Sequence, residues 1–129
     1  LIKIAAAFEK NRVTWALGAS AMLYFKGIVP DFGDIDLVTT QEDVPRVKAA
    51  LCDLGVRKPD NPENSKKARV YLEYRIDGIE VEVMAGLVFP GADGRRREFA
   101  LRQAAIRDFV QLKGVRIPLQ SVAEWRIFY

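Results

Sequence analysis

The sequence contains no histidine among its 129 residues, and that absence excludes more chemistry than any other feature of its composition. Ser-His-Asp and Cys-His nucleophilic catalysis, imidazole general bases and histidine-ligated metals are removed together. Cysteine is nearly absent as well: Cys52 stands alone, so no intrachain disulfide and no cysteine-built zinc site can form. With Leu51 and Leu54 beside it, Cys52 is expected to be a buried thiol. No apolar run is long enough to span a bilayer. The apolar opening LIKIAAAFEK is interrupted by Lys3, Glu9 and Lys10, which suits an amphipathic helix better than a secretory leader. No membrane partner is expected, and a reduced, cytoplasmic setting is. Internal repeats and low-complexity tracts are also missing.

What is left for chemistry is carboxylate, Lys or Arg, Ser or Tyr, or a bound metal. The chain carries 20 basic and 17 acidic side chains, a net charge of +3, compatible with an anionic ligand but short of a dedicated nucleic-acid binder. Its length suits a single domain over residues 1–129, expected to stop inside a final helix.

The most informative stretch is Trp15 to Thr40. Val13 to Leu17 is rich in β-branched and aromatic residues and reads as a strand. Gly18-Ala19-Ser20 then reads as a strand end turning into a helix, a place where backbone N–H groups can meet a phosphate. Pro30 to Gly33 is turn chemistry, and it delivers the chain to Asp34-Ile35-Asp36-Leu37-Val38. Strand alternation puts Asp34 and Asp36 on one face and Ile35 and Leu37 on the other. Two like charges side by side call for a positive partner, for which a divalent cation is the usual candidate.

Elsewhere, Leu1 to Lys10 predicts a helix with Leu1, Ile4, Ala5 and Phe8 on its apolar side. Thr40 and Asp43 resemble a capping box before Val44, Val47, Leu51 and Leu54. Lys58 to Lys67 reads as a polar loop, expected to be the most mobile segment, and Gly91 to Arg97 as a second loop with a basic cluster. Asp77-Gly78 predicts a hairpin between Val70–Ile76 and Ile79–Met84, whose second arm carries Glu80 and Glu82 on one face. Phe109–Leu112 and Val115–Leu119 are expected to pair about Lys113-Gly114, and Ser121 with Glu124 opens a last helix. The pattern predicts an α+β (α/β-type) domain: a small mixed β-sheet with helices packed on one face.

Each of these features taken singly has a plainer reading. Asp-x-Asp is common on a solvated strand face, Glu80 and Glu82 suit the wet side of a hairpin, and Gly18-x-Ser20 suits a helix cap. Arg95-Arg96-Arg97 suits a solvated surface, and Trp15, Phe25 and Trp125 suit a core or an interface. Their order argues otherwise. Gly18-Ala19-Ser20, then Asp34-Ile35-Asp36-Leu37, then Val81-Glu82-Val83 resembles the polymerase-β-type nucleotidyltransferase superfamily, and within it the minimal nucleotidyltransferase proteins. The likeness runs from about Trp15 to Met84. Ala19 stands where that family often has a second glycine, and Glu82 where the third acid is more often Asp.

The resemblance implies the nucleotidyltransferase fold and an enzyme that moves a nucleoside monophosphate from an NTP to a hydroxyl acceptor. It implies Asp34, Asp36 and Glu82 as catalytic residues and ligands of two Mg²⁺ ions (Mn²⁺ as a substitute), and Gly18 and Ser20 as nucleotide-binding residues. Two such ions about 3.5–4 Å apart stabilise both attacking and leaving oxygens in phosphoryl chemistry. Glu80 is the alternative third acid, and Lys26 or Arg95 to Arg97 are the candidate phosphate-binding cations. The acceptor is left open among a small molecule, a protein and RNA. A helical partner protein or a second copy is a family-level expectation. The competing readings are a catalytically silent nucleotide- or protein-binding module of the same fold and a nucleic-acid-binding domain.

Overall fold

A computed structural model describes residues 1–90 and 93–124. Its elements run α1 (Ile2–Lys10), β1 (Trp15–Gly18), α2 (Ala19–Phe25), β2 (Ile35–Thr39), α3 (Val44–Leu51), β3 (Val56–Arg57), β4 (Ala68–Ile76), β5 (Ile79–Pro90), β6 (Arg96–Phe99), β7 (Asp108–Leu112) and β8 (Val115–Leu119). The strands form one mixed sheet in the order β3-β4-β5-β2-β1-β8-β7, with β6 pairing the far end of β5. The β2–β5 and β1–β8 pairs are parallel and the rest antiparallel. Among the described residues no helix is long and apolar enough to cross a membrane.

Alternation along the strands decides which face is covered. Leu17, Ile35, Leu37, Val81, Val83, Leu72 and Tyr74 point to one side, where α1 (Ile4, Ala5, Phe8), α2 (Ala21, Met22, Leu23) and α3 (Val47, Ala50, Leu51) pack on them. Each such side chain contributes about 1.5–3 kcal/mol on full burial. The opposite face carries a smaller apolar cluster of Ala16, Val38, Ala68, Met84, Leu87 and Leu101. The mixed sheet with its helices on one face agrees with the sequence pattern.

Both two-residue hairpins form as the sequence predicts. Asp77 and Gly78 have φ of 53° and 78°, and Lys113 and Gly114 have 49° and 81°, the left-handed pairs that let a tight turn follow strand twist. Helix α2 ends where Gly27, at φ 76°, reverses the chain, with Gly27 N–H donating to Tyr24 and Ile28 N–H to Leu23.

The Thr40–Asp43 pair makes the capping bond the sequence suggests, Asp43 N–H donating to Thr40 Oγ1 (3.1 Å) just ahead of α3, which starts at Val44; the Asp43 carboxylate accepts from Thr14 N–H (2.9 Å), Thr40 Oγ1 (2.8 Å) and Arg46 Nη1 (3.2 Å). Three local expectations are corrected. Cys52 is exposed, because it follows buried Leu51 at the end of α3, one step round the helix and away from the core. The stretch Lys58 to Lys67 is pinned instead of looping freely: Lys58 N–H donates to the Glu73 carbonyl, and Pro62–Lys66 forms a 3₁₀ turn. Arg96 and Arg97 belong to an exposed edge strand, β6, which the run of charge conceals. At the chain's end, Glu124 N–H donates to Ser121 Oγ (3.1 Å), as a helix cap does. Trp125 and the expectation that the chain stops within that helix lie outside the described residues.

Gly86 is where β5 changes partner. Up to Ala85 it pairs β2, and from Leu87 it pairs β6. The break rests on a φ of 66°, and a Cβ there would stand 2.8 Å from Glu98 Oε1 and 2.9 Å from both Arg69 Cγ and Gln41 Nε2. Its conformation swings Leu87 onto the open face beside Met84. Gly86→Ala is expected to lower stability by about 1–3 kcal/mol, read as a shifted midpoint in urea unfolding with an unchanged slope.

Candidate active site

The open face of the sheet carries one row of polar positions across four strands. Gly18 is the register partner of Asp36, Asp36 of Glu82, and Glu82 of Glu73. Local sequence fixes this row: Ile35 and Leu37 must enter the core, as must Val81 and Val83, so the acids between them face out. Asp34, one residue ahead of β2, shares that face. Asp34, Asp36 and Glu82 line a single cleft of about 470 Å³, walled by Tyr71, Met84, Leu87 and Val88 and edged by Lys66 and Lys67.

The crowding has an electrostatic consequence. Asp36 has its carboxyl pushed up from 3.8 to about 7: burial raises it most, then the hydrogen bond and charge of Glu82, then the charge of Asp34, with Lys67 opposing. Asp36 thus keeps its proton to a higher pH than a carboxyl in water would. Tyr71 Oη donates to Glu82 Oε2 at 2.6 Å. Burial, Glu82 and the nearby carboxylates push its hydroxyl well up, so it stays a donor. Lys67 Nζ lies 5.5 Å from the centre of the Tyr71 ring.

The remaining expected residues are placed differently. Glu80 is engaged by Lys58, and by Arg75 at 3.7 Å, and does not line the cleft. That pairing, Lys58 foremost, holds its carboxyl below the usual range. Lys26 pairs with Asp108 at 3.0 Å and Arg97 with Asp93 at 3.6 Å; neither they nor Arg95 and Arg96 line the cleft. The cations that do are Lys66 and Lys67, at the end of the 3₁₀ turn. Gly18 adjoins Asp36 and Ser20 lies in the first turn of α2, but neither lines the cleft wall.

Gly18 has an extended φ of −122°, so a left-handed backbone is not what requires a glycine there. A Cβ at 18 would stand 2.6 Å from Oε1 of buried Gln120, whose side-chain amide has no hydrogen-bond partner among the described residues. The left-handed residue is Ala19, at φ 49°, a conformation that costs an L-residue about 1–2 kcal/mol. Sequence reasoning passed over Tyr71, Lys66, Lys67 and Gln120. The signal for Tyr71 was present, since a two-residue turn at Asp77-Gly78 sets it opposite Met84 and sets Glu73 opposite Glu82.

As a donor set, clustered carboxylates without thiolate or imidazole suit a hard divalent cation such as Mg²⁺. Among the described residues no three carboxylates are grouped closely enough to hold one ion by themselves. Mg²⁺ does not need such a group, since it retains waters and takes phosphate oxygens from a substrate.

No family model matches the chain, and no curated protein matches its sequence. Solved structures do match. A candidate nucleotidyltransferase of Thermotoga maritima superposes with a TM-score of 0.78 at 23% identity, covering 96% of this chain and 76% of its own. ANT(2")-Ia, solved with adenylyl-2"-tobramycin, gives 0.63 at 16% identity over 98% of this chain and 68% of its own. The lincosamide antibiotic adenylyltransferase LnuA, solved with lincomycin bound, gives 0.63 at 16% over 98% and 81%. The fold is that of the nucleotidyltransferases.

The shifted Asp36 carboxyl makes stability depend on pH. A proton bound by the folded form and released by the unfolded chain stabilises fully below the unfolded value of 3.8, and that contribution is lost as pH rises through about 7. In the absence of divalent cations, stability is expected to fall by about 2–4 kcal/mol between pH 4 and 8, and Asp36→Asn to flatten that slope. Thermal melts across this range check it; equal slopes for both proteins would contradict it.

Proposed function

We propose that this chain, with its nucleotidyltransferase fold, transfers a nucleoside monophosphate from an NTP to a hydroxyl acceptor and releases pyrophosphate. The observation that carries the reading is the register pairing of Asp36 with Glu82 beside Asp34, in a cleft edged by lysines. Bound Mg²⁺, held by Asp34, Asp36 and Glu82, would supply Lewis-acid stabilisation of charge on the α-phosphate and on the leaving pyrophosphate. The acceptor oxygen forms its bond to the α-phosphorus as the bond to the pyrophosphate oxygen breaks, and the electron pair leaves with pyrophosphate. Glu82 takes the acceptor's proton.

Lys66 and Lys67 edge the acidic floor without an ion pair among the described residues, which fits them to the triphosphate. Gly18 and Ser20, at the turn adjoining Asp36, are the backbone contacts to the terminal phosphates. The cleft's size suits a small hydroxyl-bearing acceptor. Two of the structural neighbours, solved with adenylyl-2"-tobramycin and with lincomycin, support the same choice.

Incubation with α-³²P-labelled ATP, CTP, GTP and UTP, Mg²⁺ or Mn²⁺ and a panel of small hydroxyl compounds tests this reading. Label is expected to move to a small acceptor with release of pyrophosphate. Asp34→Ala and Asp36→Ala should each lower kcat by about 10³-fold or more, and Glu82→Gln by about 10²–10⁴-fold. Metal-dependent NTP binding with no transfer to any acceptor would leave a silent binding module; absence of both would remove the reading.

A further inference from the structure

The third acid has a support that the sequence pattern does not announce. Glu82 sits between Asp36, its partner on β2, and the hydroxyl of Tyr71 on β4, which donates to Oε2 at 2.6 Å. Asp36 also meets Glu82 through a side-chain hydrogen bond, so the Glu82 carboxylate is engaged from two strands. An unsupported glutamate has three free torsions, more than an aspartate at the same position, and would sweep the cleft. The Tyr71 ring is itself confined, with Lys67 over its face and the β4–β5 ladder beneath it.

We propose that Tyr71 is a positioning residue for nucleotidyl transfer: by occupying Oε2 it fixes the Glu82 carboxylate so that Oε1 faces metal and acceptor. This rests on the nucleotidyl-transfer reading. The longer acid is thereby given the fixed reach that a shorter one has by default. Lys67 holds the ring in place while its ammonium group stays at the cleft edge, so one lysine serves both the positioning contact and the triphosphate. A residue that orients a ligand in this way typically governs metal affinity or turnover by about 10–100-fold.

Tyr71→Phe keeps the ring and its lysine contact and removes only the hydroxyl. Relative to wild type, kcat is expected to fall about 10–100-fold, with KM for NTP within about twofold. Mn²⁺ affinity, followed by electron paramagnetic resonance with a non-hydrolysable NTP analogue, is expected to weaken about tenfold. In a Glu82→Gln background the same change should have little further effect, since Tyr71 acts through Glu82. Should Tyr71→Phe not fold, 3-fluorotyrosine placed at position 71 keeps the ring and hydroxyl while altering donor strength, and turnover and Mn²⁺ affinity should still move. Unchanged kcat and unchanged Mn²⁺ affinity would overturn the proposal, as would full additivity with Glu82→Gln. If the wild-type chain binds no Mn²⁺–nucleotide and transfers none, the nucleotidyl reading falls and this one with it. If wild type is active and the variant matches it, only the role of Tyr71 falls.

Discussion

Two carboxylates on neighbouring strands repel one another, and this fold holds Asp36 and Glu82 side by side regardless. What holds them is the other face of the sheet. Ile35 and Leu37 flank Asp36, and Val81 and Val83 flank Glu82, and all four are buried under the helices. A slip of one residue would drive the acids into that core and expose the apolar set. Such a slip would cost several kcal/mol of burial, more than the repulsion it relieves. The β2–β5 register is therefore the constraint from which the site follows, and the raised Asp36 carboxyl is its electrostatic cost.

Much of this was legible in the sequence because it depends on short-range rules. Alternation gave the faces of β2 and β5, and the turn dipeptides Asp77-Gly78 and Lys113-Gly114 gave two hairpins with their left-handed backbones. Asp36 and Glu82 face one cleft because each sits on an alternating strand, and Asp34 joins them from just ahead of β2. The parallel pairing that sets Asp36 directly beside Glu82 was not contained in either strand's pattern; the resemblance alone suggested it. Less legible were β3, with two residues, and β6, whose arginines hide an edge strand behind a loop-like composition. Cys52 went astray because neighbouring leucines say little about direction at a helix end.

The cations were misread for a related reason. Charge clusters attract attention in a sequence, yet the Arg95 to Arg97 cluster lies off the cleft, and Lys26 is spent on Asp108. Lys66 and Lys67 were hidden at the end of a polar segment whose path is set by distant contacts: Asn64 Nδ2 bonds Glu73 Oε1 at 2.5 Å, and Val88 N–H donates to the Lys67 carbonyl. Those bonds tie the 3₁₀ turn to β4 and to the far end of β5. Glycine carried a second ambiguity. At Gly18 it makes room for Gln120, while the left-handed strain beside it falls on Ala19.

The kink at Gly86 divides β5 into two parts with different freedoms. Before it, Val81 to Ala85 are bound by the ladder to β2, and a change there disturbs the acids. Beyond it, Leu87 and Val88 shape the cleft wall while pairing only β4, β6 and the chain at Lys67. The wall can thus be recut without moving the carboxylates. One glycine thus separates the stretch of β5 that fixes the acids from the stretch that shapes the wall above them.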